Sequence, residues 1–214
     1  KPHGSNIWWT AGPGAAKAYG RSSGTAVGPT GSVTAWEPSP YTFGVLQEHI
    51  RANGVEAVCR AEQAAVGSTD GGTVRFRTDT VGTATNRITA TPAADDTVEV
   101  PVGTLDGWLA RLPRPPHLVK MDIEGAEVLA LRGAAGLLGR GGPRPIVLLS
   151  AHPMFLPEFG HAPADITAEV ERHGYVSLRL DGTPAPPEHF LEYLLVPAER
   201  QEWAKSALAA VAPG

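Results

Sequence analysis

The chain reads as an α/β protein built on a mainly parallel sheet, and three observations carry that reading. Predicted strands and helices alternate along most of its 214 residues. Residues 118–123 form a mostly apolar run, interrupted by Lys120 and Asp122, as expected of an inner strand covered on both faces. Gly125 then permits a tight turn, and Val128, Leu131, Ala135 and Leu138 follow at spacings of three and four, on one helix face. Asp122 and Glu124 therefore stand at the carboxyl end of a strand, the edge where open α/β sheets bind ligands.

In chain order, residues 1–31 are rich in glycine and give only weak helix signals, broken by Gly12, Pro13 and Gly14. Residues 32–37 are β-branched and aromatic, and Pro38 and Pro40 stop the strand just after Glu37. An acid in that position can accept hydrogen bonds from both ribose hydroxyls of a nucleoside. Phe43, Leu46, His49 and Ile50 mark a helix over 41–53 with Asn53-Gly54 as its stop. Residues 55–66 read as a third strand, in which Cys59 is core filling. From 68 to 101 the texture changes to Thr-rich alternation, which predicts antiparallel hairpins inserted into the frame, where Asn86 and Arg87 could meet an acceptor. Thr104 is a candidate N-cap for a short helix leading into the central strand.

Residues 144–150 form another apolar strand, and His152 leaves its end on the same edge as Asp122. A histidine there is a candidate base. His161 and His173 read as solvated. A helix over 165–173, a closing strand pair over 175–180 and 190–196, and a helical tail from 198 complete a single domain spanning 1–214.

Composition excludes several classes. A net charge of −4 and a pI near 6.0 lack the basic stripe of a nucleic-acid binder. One cysteine allows no intrachain disulfide and no cysteine-based zinc site, which fits a reducing compartment. No apolar run approaches the roughly 18 residues needed to span a bilayer, and no signal peptide opens the chain. A soluble, cytoplasmic protein acting on small molecules is expected, with a homodimer left open. The 25 Gly and 20 Pro point to a GC-rich bacterial coding bias. The chain starts at Lys1 without an initiator Met, so residues are expected to be missing upstream or within 1–31.

The run KMDIEGAEVLALRGA over 120–134 also resembles the D-x-E-G-A-E-x-x-x-L-x-G-A signature of the FkbM family of S-adenosylmethionine-dependent methyltransferases. Glu37-Pro38 is similar to the family's A-F-E-P, and residues 104–109 resemble its T-L-D-x-x-L. The resemblance runs in order over residues 4–197. It implies a class I methyltransferase, Rossmann-like, with a seven-stranded mostly parallel sheet, and 68–101 as a β-hairpin cover over the acceptor. It implies S-adenosyl-L-methionine as cofactor and methyl transfer to an oxygen of a secondary metabolite or sugar. Carried onto this chain, Gly4, Ser5 and Asn6 form a turn against the methionine end, Glu37 and Pro38 face the ribose, and Ala65 and Val66 lie against the adenine. Asp122 and Glu124 flank donor and acceptor, with Asp122 or His152 as base. Met121 and Ile123 could supply apolar surroundings that raise the Asp122 pKa. No metal is assigned, because two acids lack a third ligand. Two other readings stay open: a nucleotide- or NAD-binding oxidoreductase, and a non-catalytic binding domain that kept the fold.

Overall fold

The computed structural model describes residues 27, 30–77, 87–88, 97–112, 114–139 and 141–211, together with the backbone of 6–10; residues 87 and 211 are likewise described by backbone alone. The frame is a seven-stranded mixed sheet. Strand β1 (Asn6–Thr10) lies between β2 (Ser32–Trp36) and, much later in the chain, the middle strand β8 (Leu118–Met121). Parallel pairing continues outward from β2 to β3 (Cys59–Glu62) and from β8 to β9 (Ile146–Ser150). Beyond β9 the pairing turns antiparallel, through β11 (Glu192–Pro197) to the edge strand β10 (Tyr175–Arg179).

A smaller four-stranded sheet carries β4 (Ala65–Val66), β5 (Thr73–Arg77), β6 (Arg87–Ile88) and β7 (Thr97–Gly103). The expected third strand over 55–66 is thus two strands in two sheets. Glu62 ends the pairing with Trp36, and Ala65-Val66 instead pairs in parallel with Val102-Gly103. Asp70, between β4 and β5, ties that connection to the end of β7, because its carboxylate accepts from Thr104 N at 2.8 Å and from Thr104 Oγ1 at 2.9 Å.

Helix α1 (Pro40–Ala52) is capped by Ser39, whose Oγ accepts from Thr42 N, and it buries Leu46 and Ile50 beside Val33, Ala35 and Cys59. The opposite face of the sheet buries Val119, Met121, Val147 and Leu149 against Val128, Leu131, Leu138 and Ile166. Those last residues come from α3 (Glu127–Arg132), α4 (Ala135–Leu138) and α5 (Pro163–Arg172). The single helix face expected of Val128, Leu131, Ala135 and Leu138 is therefore divided at Gly133-Ala134, where α2 (Leu105–Leu109) docks. Asp106 N donates to Gly133 O, and the Asp106 carboxylate accepts from Gly136 N and Leu137 N, both at 2.7 Å. That carboxylate satisfies orphan donors of a new helix start. His173, expected in solvent, is buried with Nε2 3.0 Å from Leu131 O. Helix α6 (Gln201–Val211) covers Leu178 and Val196 through Ala204. No helix among the described residues is long and apolar enough to cross a membrane.

The turn after β8 needs glycine twice over. Gly125 has φ +101°, and a Cβ there would lie 2.6 Å from Phe155 Cβ. Gly125→Ala is expected to destabilise the fold by about 2 to 3 kcal/mol in chemical denaturation; a loss under ~0.5 kcal/mol would show that the turn relaxes freely.

Candidate active site

The order of the parallel strands reverses at β1. Thr10 faces Trp36 on one side and Met121 on the other in register, so Glu37 and Asp122 are the next residues out on strands flanking the same row. With a spacing of ~4.8 Å between strands, their backbones lie roughly 10 Å apart. Such a reversal opens the crevice in which doubly wound sheets hold ligands.

Glu37 is fully buried. Its Oε1 accepts from Ser39 N at 2.8 Å, while Oε2 is buried with no hydrogen-bond partner among the described residues. Burial drives its pKa up to about 8; the Ser39 N–H pulls it back and the charge of Glu124 adds to the rise. Glu124, 5 % exposed, is the one described non-glycine residue with positive φ, at +48°. A left-handed conformation at a bulky side chain persists only where its surroundings enforce it.

Asp122 lies between two nitrogens. Its Oδ2 is 3.7 Å from Lys120 Nζ and its Oδ1 3.6 Å from His152 Nε2. The apolar surroundings expected from Met121 and Ile123 are not what the carboxylate meets: Met121 packs into the core on the other face, as strand alternation dictates, and Lys120 shares the face of Asp122. Lys120, 1 % exposed, contacts Ser150 Oγ and sits 3.1 Å from Glu192 Oε2; Ser150 in turn hydrogen-bonds Glu192.

His152 is held from its other side. Nδ1 is 3.1 Å from Oε1 of the fully buried Glu127, and that oxygen also accepts from Gly125 N at 3.1 Å. Because this oxygen already acts as an acceptor, Nδ1 is assigned the ring hydrogen, which leaves Nε2 as a proton acceptor beside Asp122. Burial opposes protonation of the ring, but the Glu127 hydrogen bond and the charges of Glu127, Asp122 and Glu124 outweigh it and hold His152 above its ordinary pKa. The rings of Phe155 and Phe190 lie 6.3 and 5.3 Å from the imidazole. Among the described residues no group of three or more His, Cys, Asp or Glu is placed to hold a metal ion.

The structure thus brings Glu37, Glu124, Asp122 and His152 to one edge. It does not bring Asn6 there. Asn6 opens β1 opposite Ser32, at the amino end of the sheet, instead of following a strand, because the aromatic run Trp8-Trp9 is itself the strand. Gly4 and Ser5 lie outside the described residues, as does Asn86. Ala65 and Val66 are buried in β4, with Ala65 packed beside Phe76 and Val100 and Val66 in the cluster of Trp36, so their side chains are engaged in the core. Pro38 is buried beside Glu37.

Lys120, Glu127 and Glu192 were not foreseen as site residues. Lys120 carries a local signal, since a charge inside an apolar inner strand needs a partner. Glu127 carries a weaker one, as an acid beside the core-facing Val128. Glu192 carries none, for it reaches Lys120 across 72 residues of sequence.

The model of the Methyltransferase FkbM domain matches residues 14–177 of the chain. Among solved structures, the chain is similar to methyltransferase FkbM from Methylobacillus flagellatus KT, with TM-score 0.56, 20 % identity, and coverage of 90 % of this chain and 43 % of that one. It is also similar to a putative rRNA-methylase from Clostridium thermocellum, with TM-score 0.50, 11 % identity, and coverage of 91 % and 86 %. The chain therefore spans less than half the length of the first of these. No curated protein matches it. At these identities the structural likeness establishes the Rossmann-like α/β fold of methyltransferases. The family match covers most of the chain, and the chain belongs to the FkbM methyltransferase family.

Proposed function

We propose that the chain transfers a methyl group from S-adenosyl-L-methionine to an oxygen of a small-molecule acceptor, of the secondary-metabolite or sugar kind. The observation that supports this reading is Glu37: a fully buried acid at the reversal of strand order, with one oxygen held by Ser39 and the other lacking a hydrogen-bond partner among the described residues. A ribose diol supplies a donor to the oxygen that lacks one and a second to the oxygen that Ser39 already serves. The residues fit the cofactor in charge as well, since Asp122, Glu124 and Glu37 make an acidic edge suited to a sulfonium cation.

Bound there, S-adenosylmethionine supplies an already activated methyl group. The protein has to hold the acceptor in line and remove the hydroxyl proton. His152 Nε2 is the group for the second task. The imidazolium that forms lies between Glu127 and Asp122, whose charges stabilise it. Lys120, itself paired with Glu192, holds Asp122 from behind.

Two substitutions test this reading. Glu37 titrates near 8 in the folded chain and near 4.5 when unfolded, so the stability present below pH 4.5 is lost as the pH rises through 8, a cost on the order of a few kcal/mol. Glu37→Gln should therefore raise the melting temperature at pH 8.5, with the gap closing toward pH 5. The same substitution should weaken S-adenosylhomocysteine binding at least tenfold. Better stability with unchanged affinity would remove Glu37 from the cofactor site. Glu127→Gln keeps an oxygen able to accept from Nδ1 but removes the charge that raises the His152 pKa, so imidazole NMR should show His152 titrating at lower pH; an unmoved titration would contradict the Glu127–His152 pairing.

A further inference from the structure

The apolar rim of the same edge narrows the acceptor class, given the methyl-transfer reading above. Large hydrophobic side chains exposed among the described residues are Tyr41, Met154, Leu180, Phe190, Leu191 and Trp203. Three of them belong to the two segments that meet at the end of β9, where His152 stands. Met154 follows it by two residues and is 52 % exposed. Phe190, 63 % exposed, sets its ring 5.3 Å from the imidazole. Leu191, 48 % exposed, is fixed beside the strand end because its carbonyl accepts from Ala151 N at 3.0 Å.

Strand direction explains the clustering. β11 runs antiparallel to β9, with Glu192 opposite Ser150, so the residues that enter β11 meet those that leave β9. Two segments about forty residues apart thus offer side chains of one character at one place. Isolated exposed apolar residues need no explanation, whereas a group of them beside a reactive side chain marks a binding surface. Behind this rim the edge is acidic, with Asp122, Glu124 and Glu127 around His152. An anionic acceptor would meet repulsion there, and a free sugar would leave Phe190, Leu191 and Met154 wet.

We infer that the acceptor is an uncharged, hydrophobic alcohol or phenol whose apolar body rests on Phe190, Leu191 and Met154 and whose hydroxyl points to His152. During transfer the acceptor O–H bond breaks and its proton passes to His152 Nε2. The oxygen's electron pair forms the new bond to the methyl carbon as the carbon–sulfur bond breaks, and the sulfur retains that bond's electrons.

The test uses the full chain saturated with S-adenosylhomocysteine, 2-naphthol as a neutral apolar probe, methyl β-glucoside as a sugar and 2-naphthoate as an anion. Wild type is expected to bind 2-naphthol, followed by its fluorescence, with affinity at least tenfold above that for either other compound. Phe190→Ser and Leu191→Ser should each weaken 2-naphthol binding about fivefold or more while S-adenosylhomocysteine affinity and melting temperature stay unchanged. No binding of 2-naphthol, equal or better binding of the glucoside, or naphthol affinity untouched by both variants would overturn the hydrophobic assignment. Failure of wild type to bind S-adenosylhomocysteine would overturn the methyl-transfer reading itself, a separate outcome read in the first titration.

Discussion

The site depends on register. β1 holds Trp36 on one side and Met121 on the other in the same row, so the acid that follows each strand leaves the sheet at the same level. A slip of one residue in either pairing would turn alternate side chains to the opposite face. Glu37 and Asp122 would then no longer border one crevice. The apolar faces on both sides of the sheet fix that register, because Val119 and Met121 must stay in the core for Lys120 and Asp122 to stay at the site.

This arrangement is costly to the fold. A buried carboxylic acid that titrates near 8, a glutamate at positive φ and a lysine sealed at 1 % exposure each oppose folding on their own. Their partners offset part of the cost. Ser39 N–H serves Glu37, Glu192 and Ser150 serve Lys120, and Glu127 serves both the Gly125 amide and His152. What is left over is concentrated on the one edge that a charged donor and a hydroxylated acceptor would complete. A site organised beforehand spends less of its binding energy on reorganisation when the reaction occurs.

Much of this was legible in the sequence where the signal was local. Strand-ending acids and the histidine after β9 were readable because an apolar run followed by a turn fixes which end of a strand a residue occupies. The end of α1 is readable from Asn53-Gly54, and its start from the strand stop at Pro38 and Pro40. The signal failed where partners are distant or patterns are short. Asn6 belongs to a turn only by the likeness of Gly4-Ser5-Asn6 to the family's glycine turn, whereas it opens β1, a short strand with no alternation to mark its start. Residues 55–66 read as one strand, since nothing local shows that Ala65-Val66 changes sheets to meet Val102-Gly103. The surroundings of Asp122 were misjudged as apolar by counting neighbours in sequence; in a strand the residues two apart share a face, and Lys120 is that neighbour.

The claim on which the rest stands is that Glu37 receives the ribose of the cofactor. With a pKa pushed up to about 8 the buried acid is largely protonated at pH 7 in the free protein, and a diol that donates to its oxygens favours the ionised form. Calorimetric titration of S-adenosylhomocysteine at pH 7, repeated in two buffers of different ionisation enthalpy, measures protons released on binding. The account predicts binding with release of about one proton, abolished by Glu37→Gln. Binding with no proton release in wild type would contradict it.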